Sequence, residues 1–169
     1  EAKRRALRDG DWDVFEGQYF ENWRQDKHVI LPLAVPRYWR KWGGLDWGFA
    51  KPLSCGLYTQ NPDTGRIFRV RELYQAELTD SEAVAHIKAM IGTDSLDVIW
   101  ADHSMWTRRF KDTGVVSAAD RYMQGGLPLQ PANNDRIAGW NHLRDFLADG
   151  KDGLPMFQVT SNCIHFIET

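Results

Sequence analysis

At 169 residues, with 43% hydrophobic and 12% aromatic content, the chain is long enough for one domain with a real core and too apolar for a disordered tail. Its 21 Lys and Arg against 23 Asp and Glu give a formal net charge of -2. That is not the balance of a tight autonomous DNA binder, so affinity for nucleic acid would have to come from a local basic groove, a metal ion or other parts of a larger protein.

Residues up to about Arg40 are polar and aromatic, contain Pro32 and Pro36, and show no sustained alternation. They read as a connecting arm, and the helix-like opening from Glu1 to Leu7 suggests a chain that begins inside a longer polypeptide. From Lys41 the order sharpens. Strands are expected at Trp42 to Trp47, at Leu53 to Thr59 and at Arg66 to Gln75, the last two separated by the turn residues Asn61-Pro62-Asp63-Thr64-Gly65. These three form an antiparallel meander. Thr79-Asp80-Ser81-Glu82 is a capping box that opens a helix to about Ile91, with Gly92 as its stop and Val84, Ile87 and Ile91 on its apolar face.

A fourth strand ends at Ala101, and a helix runs from about Val116 to the Gly125-Gly126 stop. A short strand at Leu127 to Leu129 precedes a helix over Asp135 to Leu147, whose Ile137, Trp140, Leu143, Phe146 and Leu147 share a face. A last strand at Met156 to Val159 leads to a final helix that Asn162 would cap. A meander followed by strand–helix alternation predicts an α/β fold, a mixed sheet flanked by helices.

Two acids carry the chemistry. Asp46 follows an apolar segment and precedes a Gly-containing turn. An acid at the end of a buried strand costs desolvation energy unless a cation compensates it. Asp102 closes the short apolar run Val98 to Ala101. In open α/β sheets ligands collect beyond the carboxyl ends of parallel strands. If the two strands are neighbours, both carboxylates reach one site, and their hard oxygens suit Mg²⁺ or Mn²⁺ better than zinc. Each acid also has a plainer role open to it: Asp102 as the cap of a short helix from Ser104, Asp46 as a hairpin-turn residue.

Several segments together resemble the nuclease domain of phage terminase large subunits. Gly44-Leu45-Asp46-Trp47-Gly48, with Lys51-Pro52 and the strand to Tyr58, is similar to its first strand and turn; Arg66 to Tyr74 resembles its third strand. Ala101-Asp102-His103-Ser104-Met105-Trp106 resembles its middle acidic motif, and Asn134 to Trp140 its later helix start. Arg5 to Trp12 and Glu16 to Phe20 look like the tail of the preceding ATPase domain.

The resemblance implies a ribonuclease H-like fold over 41–169, with 1–40 as the arm from the ATPase domain of the same polypeptide. It implies metal-dependent cleavage of concatemeric double-stranded DNA during genome packaging, in the host cytoplasm of a phage or prophage, with a portal and a small terminase subunit as partners. Two Mg²⁺ or Mn²⁺ ions about 4 Å apart would bridge the scissile phosphate. Asp46 and Asp102 match the first two of the family's three acids. The third belongs to a segment beyond Thr169, which leaves this chain weakly active or inactive by itself.

Around the pair, Asp135, Glu72 and His103 are the accessory candidates, and Lys51, Arg108, Arg109 and Lys111 the candidate DNA contacts. Each has an ordinary alternative. Asp135 fits the first turn of a helix, where the macrodipole favours an acid. Glu72 can pair with Arg69 or Arg71, His103 can be a polar loop residue, and the basic cluster can be a solvated face. Trp47 and Trp106 can stack on bases or belong to the core.

The two cysteines, Cys55 and Cys163, fit neither a disulfide framework nor a zinc spacing, and no apolar run spans a bilayer or opens the chain as a signal peptide; a reducing cytoplasm without a membrane partner is expected. No phosphate loop of the Gly-x-x-x-x-Gly-Lys type occurs, so the chain should not hydrolyse ATP. Another ribonuclease H-like enzyme, of resolvase or transposase type, remains an alternative, as does a fragment that only docks DNA or the portal. A sugar-kinase or actin-like ATPase is disfavoured by Trp47-Gly48-Phe49-Ala50, where Gly-Thr or Gly-Ser would be wanted.

Overall fold

Strand formation starts at Arg40, where alternation selects one face of the chain for the core. In the computed structural model, which describes residues 20–107, 109–111 and 114–168 (side chains at 109–111 and 114–115 excepted), the first long strand, β2 (Arg40–Asp46), buries Lys41, Gly43 and Leu45 and turns Trp42, Gly44 and Asp46 to the other face. It pairs antiparallel with β3 (Leu53–Gln60), and β3 pairs antiparallel with β4 (Ile67–Gln75). This is the meander expected from the sequence. A register shift between Leu57 and Tyr58 bends the second pairing.

The meander is the centre of a seven-stranded sheet. On one side β5 (Ile99–Ala101) runs parallel to β2, and β8 (Leu129–Pro131) parallel to β5. On the other, β9 (Phe157–Thr160) runs parallel to β4, and β1 (Val29–Ile30) parallel to β9. Gly43 lets β2 and β5 close up: a Cβ there would come within 2.8 Å of Ile99 Cγ1.

Helices cover both faces. Leu45, Leu53, Cys55, Ile99 and Ala101 meet α2 (Asp80–Ile91) and α3 (Ala118–Gln124). The Thr79 hydroxyl and the Glu82 carboxylate form the expected capping box of α2, and Gly92 ends it at φ 65°. The opposite face gathers Tyr58, Phe157 and Val159 against Leu143 and Phe146 of α4 (Arg136–Phe146) and Phe166 and Ile167 of α5 (Ile164–Glu168).

The structure departs from the sequence reading at several points. The chain joins the sheet well before Lys41: α1 (Gln25–His28) leads into β1, and His28, 1% exposed, bonds through Nε2 to the Leu147 carbonyl. Residues 1–19, which carry the expected ATPase tail, lie outside the described residues. The helix expected from Val116 starts at Ala118, because Gly114–Val116 is β7, paired with β6 (Arg109–Lys111), and Ser117 with Asp120 forms the cap. The strand expected at Leu127 to Leu129 is displaced to Leu129–Pro131. Asn162 does not take the capping role expected of it; its amide donates to the Val70 carbonyl, while Glu72 receives the first amides of α5.

Candidate active site at the tips of β2 and β5

The parallel register pairs Leu45 with Ala101, so Asp46 and Asp102 occupy the next step of adjacent strands, at their carboxyl ends. Neighbouring strands lie about 4.8 Å apart, which brings the two acids to one place. Both residues are exposed.

Their electrostatics differ. Desolvation and then the Asp102 charge raise the pKa of Asp46. Hydrogen bonds from Ser104, side chain first and backbone second, lower that of Asp102, with smaller help from His103 and Arg136. Ser104 N donates to Asp102 Oδ1 at 2.7 Å. Among the described residues no hydrogen-bond donor reaches the Asp46 carboxylate. One acid is thus held ionised, and the other sits beside it with like-charge repulsion unrelieved. A cation between them would relieve both costs.

Asp102 also caps the 3₁₀ turn His103–Trp106, so the capping and site readings are compatible. That turn puts His103 at the same strand end, exposed. Ser104 escaped the sequence reading. The signal was present as an Asp followed two residues later by a backbone donor and hydroxyl, a common turn pattern that by itself marks no site.

Lys51 lies in the turn after β2, also exposed and at this end of the sheet. The turn is tight enough that a Cβ on Gly48 would sit 2.5 Å from the Lys51 carbonyl oxygen. Asp135 lies where the chain leaves β8, the parallel neighbour of β5. Its Oδ1 accepts from Ala138 N at 2.9 Å, the N-cap geometry of α4.

Glu72 is elsewhere. Its side chain is 6% exposed, and its oxygens accept from His165 N at 2.8 Å and Phe166 N at 3.1 Å, with Arg69 Nη2 at 3.5 Å. It pairs with Arg69, as one reading allowed, but beneath α5 rather than on the surface. Arg108 lies outside the described residues, as do the side chains of Arg109 and Lys111.

Among the described residues no group of three or more His, Cys, Asp or Glu converges as a metal cage. Two carboxylates at a strand edge nevertheless fit Mg²⁺, which keeps several waters and needs only one or two carboxylates alongside substrate phosphates. They fit zinc poorly, since its preferred ligands are nitrogen and sulfur.

Comparison with solved structures identifies the fold. The P22 large terminase nuclease domain superposes with a TM-score of 0.70 at 18% identity, over 90% of this chain and 77% of that one. The fold is that of a large terminase nuclease domain. A full large terminase from a thermophilic bacteriophage matches with a TM-score of 0.69 at 18% identity over 89% of this chain. This chain spans 35% of that protein, whose structures include complexes with ADP and ATP-gamma-S. The large terminase nuclease of thermophilic phage G20c with bound magnesium matches at a TM-score of 0.54 and 16% identity, over 85% of this chain and 74% of that one. The same nuclease is also known with bound zinc. No family profile and no curated protein sequence matches the chain. The ribonuclease H-like mixed sheet expected from the sequence is therefore established by structure where sequence comparison finds nothing. No helix among the described residues is long and apolar enough to cross a membrane.

Proposed function

We propose that the chain is the nuclease domain of a viral DNA-packaging large terminase, a metal-dependent endodeoxyribonuclease that cuts concatemeric DNA. The observation that carries this reading is the register of β2 and β5, which sets Asp46 and Asp102 side by side at the strand tips of a terminase nuclease fold. In the proposal the segment before α1 connects to an ATPase domain of the same polypeptide, and the portal and small subunit are its partners.

Asp46 and Asp102 would hold Mg²⁺ or Mn²⁺. When bound, the metal supplies charge neutralisation at the phosphate and a water acidic enough to act as nucleophile, in a two-metal arrangement. The chain's own part is positional and electrostatic. Ser104 lowers the Asp102 pKa and holds its carboxylate through the backbone amide. Asp46 brings a carboxylate whose proton affinity is already raised, so a cation competes for it with a gain in charge compensation. Lys51, at the adjoining turn, attracts the DNA backbone. Arg108, Arg109 and Lys111 are further proposed DNA contacts, and His103 and Asp135 proposed accessory groups. No third acid joins the pair among the described residues.

The test is plasmid nicking with Mn²⁺ by the full-length polypeptide. Asp46→Asn and Asp102→Asn should each abolish cutting while leaving the fold unchanged by circular dichroism. Cutting at the parental rate by either variant would overturn the assignment.

A further inference from the structure

The indole of Trp47 donates from Nε1 to Ser104 Oγ at 2.8 Å. Trp47 is the residue after Asp46, and Ser104 is the residue whose backbone amide donates to Asp102 Oδ1 at 2.7 Å. One hydrogen bond therefore joins the loop that leaves β2 to the loop that leaves β5. The strand pairing does not do this, because the ladder between the strands ends at Leu45 and Ala101, one step short of the acids.

The geometry points to Trp47 and Ser104 as a latch that positions the acid pair for its cation. The claim rests on the nuclease reading of that pair. An indole N–H is donor only, so it occupies a lone pair of the Ser104 oxygen. Ser104 in turn holds Asp102 through its backbone amide. The Trp47 ring is itself fixed, being half-buried against the core formed by α2 and α3. Rigid packing of the indole is thus transmitted to the rotamer of Asp102 and to the separation of the two carboxylates. Trp47 and Ser104 touch neither substrate nor metal in this account; they act through Asp102. Outer-shell groups of this kind typically govern metal affinity by about 10- to 100-fold.

Trp47→Phe keeps the apolar body and removes the donor. Ser104→Ala keeps the amide and removes the hydroxyl, at an exposed position where folding is not at stake. Ser104→Thr restores the hydroxyl. Binding of Mn²⁺ alone, followed by electron paramagnetic resonance, should weaken about tenfold in Trp47→Phe and in Ser104→Ala and return in Ser104→Thr. The double variant should be no weaker than Ser104→Ala, since both changes cut one path. Thermal melting in chelator reads the structural role separately and should barely move in Ser104→Ala. Parental Mn²⁺ affinity in both single variants, with affinity lost in Asp102→Asn, would overturn the latch and leave the site standing. Parental affinity in Asp46→Asn and Asp102→Asn as well would remove the site and the latch together.

Discussion

Two acids on one face of the same sheet meet opposite fates. Glu72 and Asp46 both project from the meander on the side of Trp42 and Tyr58, two strands apart. Glu72 is enclosed under α5 with two amide donors and the Arg69 guanidinium around it. Asp46 stands at an open strand tip with a second carboxylate as its neighbour and no donor among the described residues. A buried acid whose oxygens are all occupied is part of the scaffold. An acid left uncompensated beside another acid costs stability, and a bound cation is the simplest reason for a chain to keep it.

Arg69 shows how far the scaffold end has been built around its charge. It is 5% exposed, lies over the rings of Tyr58 and Phe166, and donates to the Tyr58 hydroxyl. Gly56 leaves the room it needs, since a Cβ there would overlap the guanidinium.

The comparison breaks most sharply on activity. Asp46→Asn and Asp102→Asn should each lower Mn²⁺-dependent cleavage by at least about 100-fold, whereas Glu72→Gln should leave the rate of the folded enzyme within a few-fold. A quantitative nicking time course on the three variants decides it. Next in size is stability. Glu72→Ala strands the Arg69 charge and two α5 amides, and should cost about 3 kcal/mol in urea unfolding. A loss near zero would show that solvent, not Glu72, satisfies those groups.

Smaller effects separate the two aspartates. The folded-state pKa of Asp46 is raised, so its acid form is favoured by folding; that contribution is present below the unfolded pKa and is lost as pH rises through the folded one. At neutral pH without metal, Asp46→Asn should therefore melt slightly higher than the parent, by about 1–2 °C, and the difference should shrink in acid. The Asp102 pKa is lowered, so its contribution is present above the unfolded value and fades as pH falls through the folded one. Asp102→Asn should melt lower at neutral pH and converge with the parent in acid. Equal shifts of one sign would erase the asymmetry. Lys51→Ala is the mildest change: DNA binding should weaken by a few-fold, with the salt slope reduced by about 1.

Much of this was legible because periodicity and punctuation agree in the middle of the chain. The meander, the Thr79 box and the Gly92 stop are local signals that the sheet and α2 then reinforce. The acid pair was legible as two strand-terminal aspartates, although their register is a tertiary fact. Other features depend on contacts distant in sequence. β1 is two residues long and is held in the sheet by β9, near the other end of the chain. Of the apolar stripe expected over Asp135 to Leu147, only Leu147 is fully buried, with Leu143 and Phe146 packed beside it, while Ile137 is exposed. The pairing of Glu72 with Arg69 was among the readings, but its contact with α5 was not, because that helix lies far downstream.

The central claim is tested most directly by soaking crystals in Mn²⁺ and computing an anomalous difference map. The account predicts a peak between β2 and β5, within about 2 Å of a carboxylate oxygen of both Asp46 and Asp102. A map with no peak there at saturating Mn²⁺, or with the two carboxylates turned apart, would contradict it.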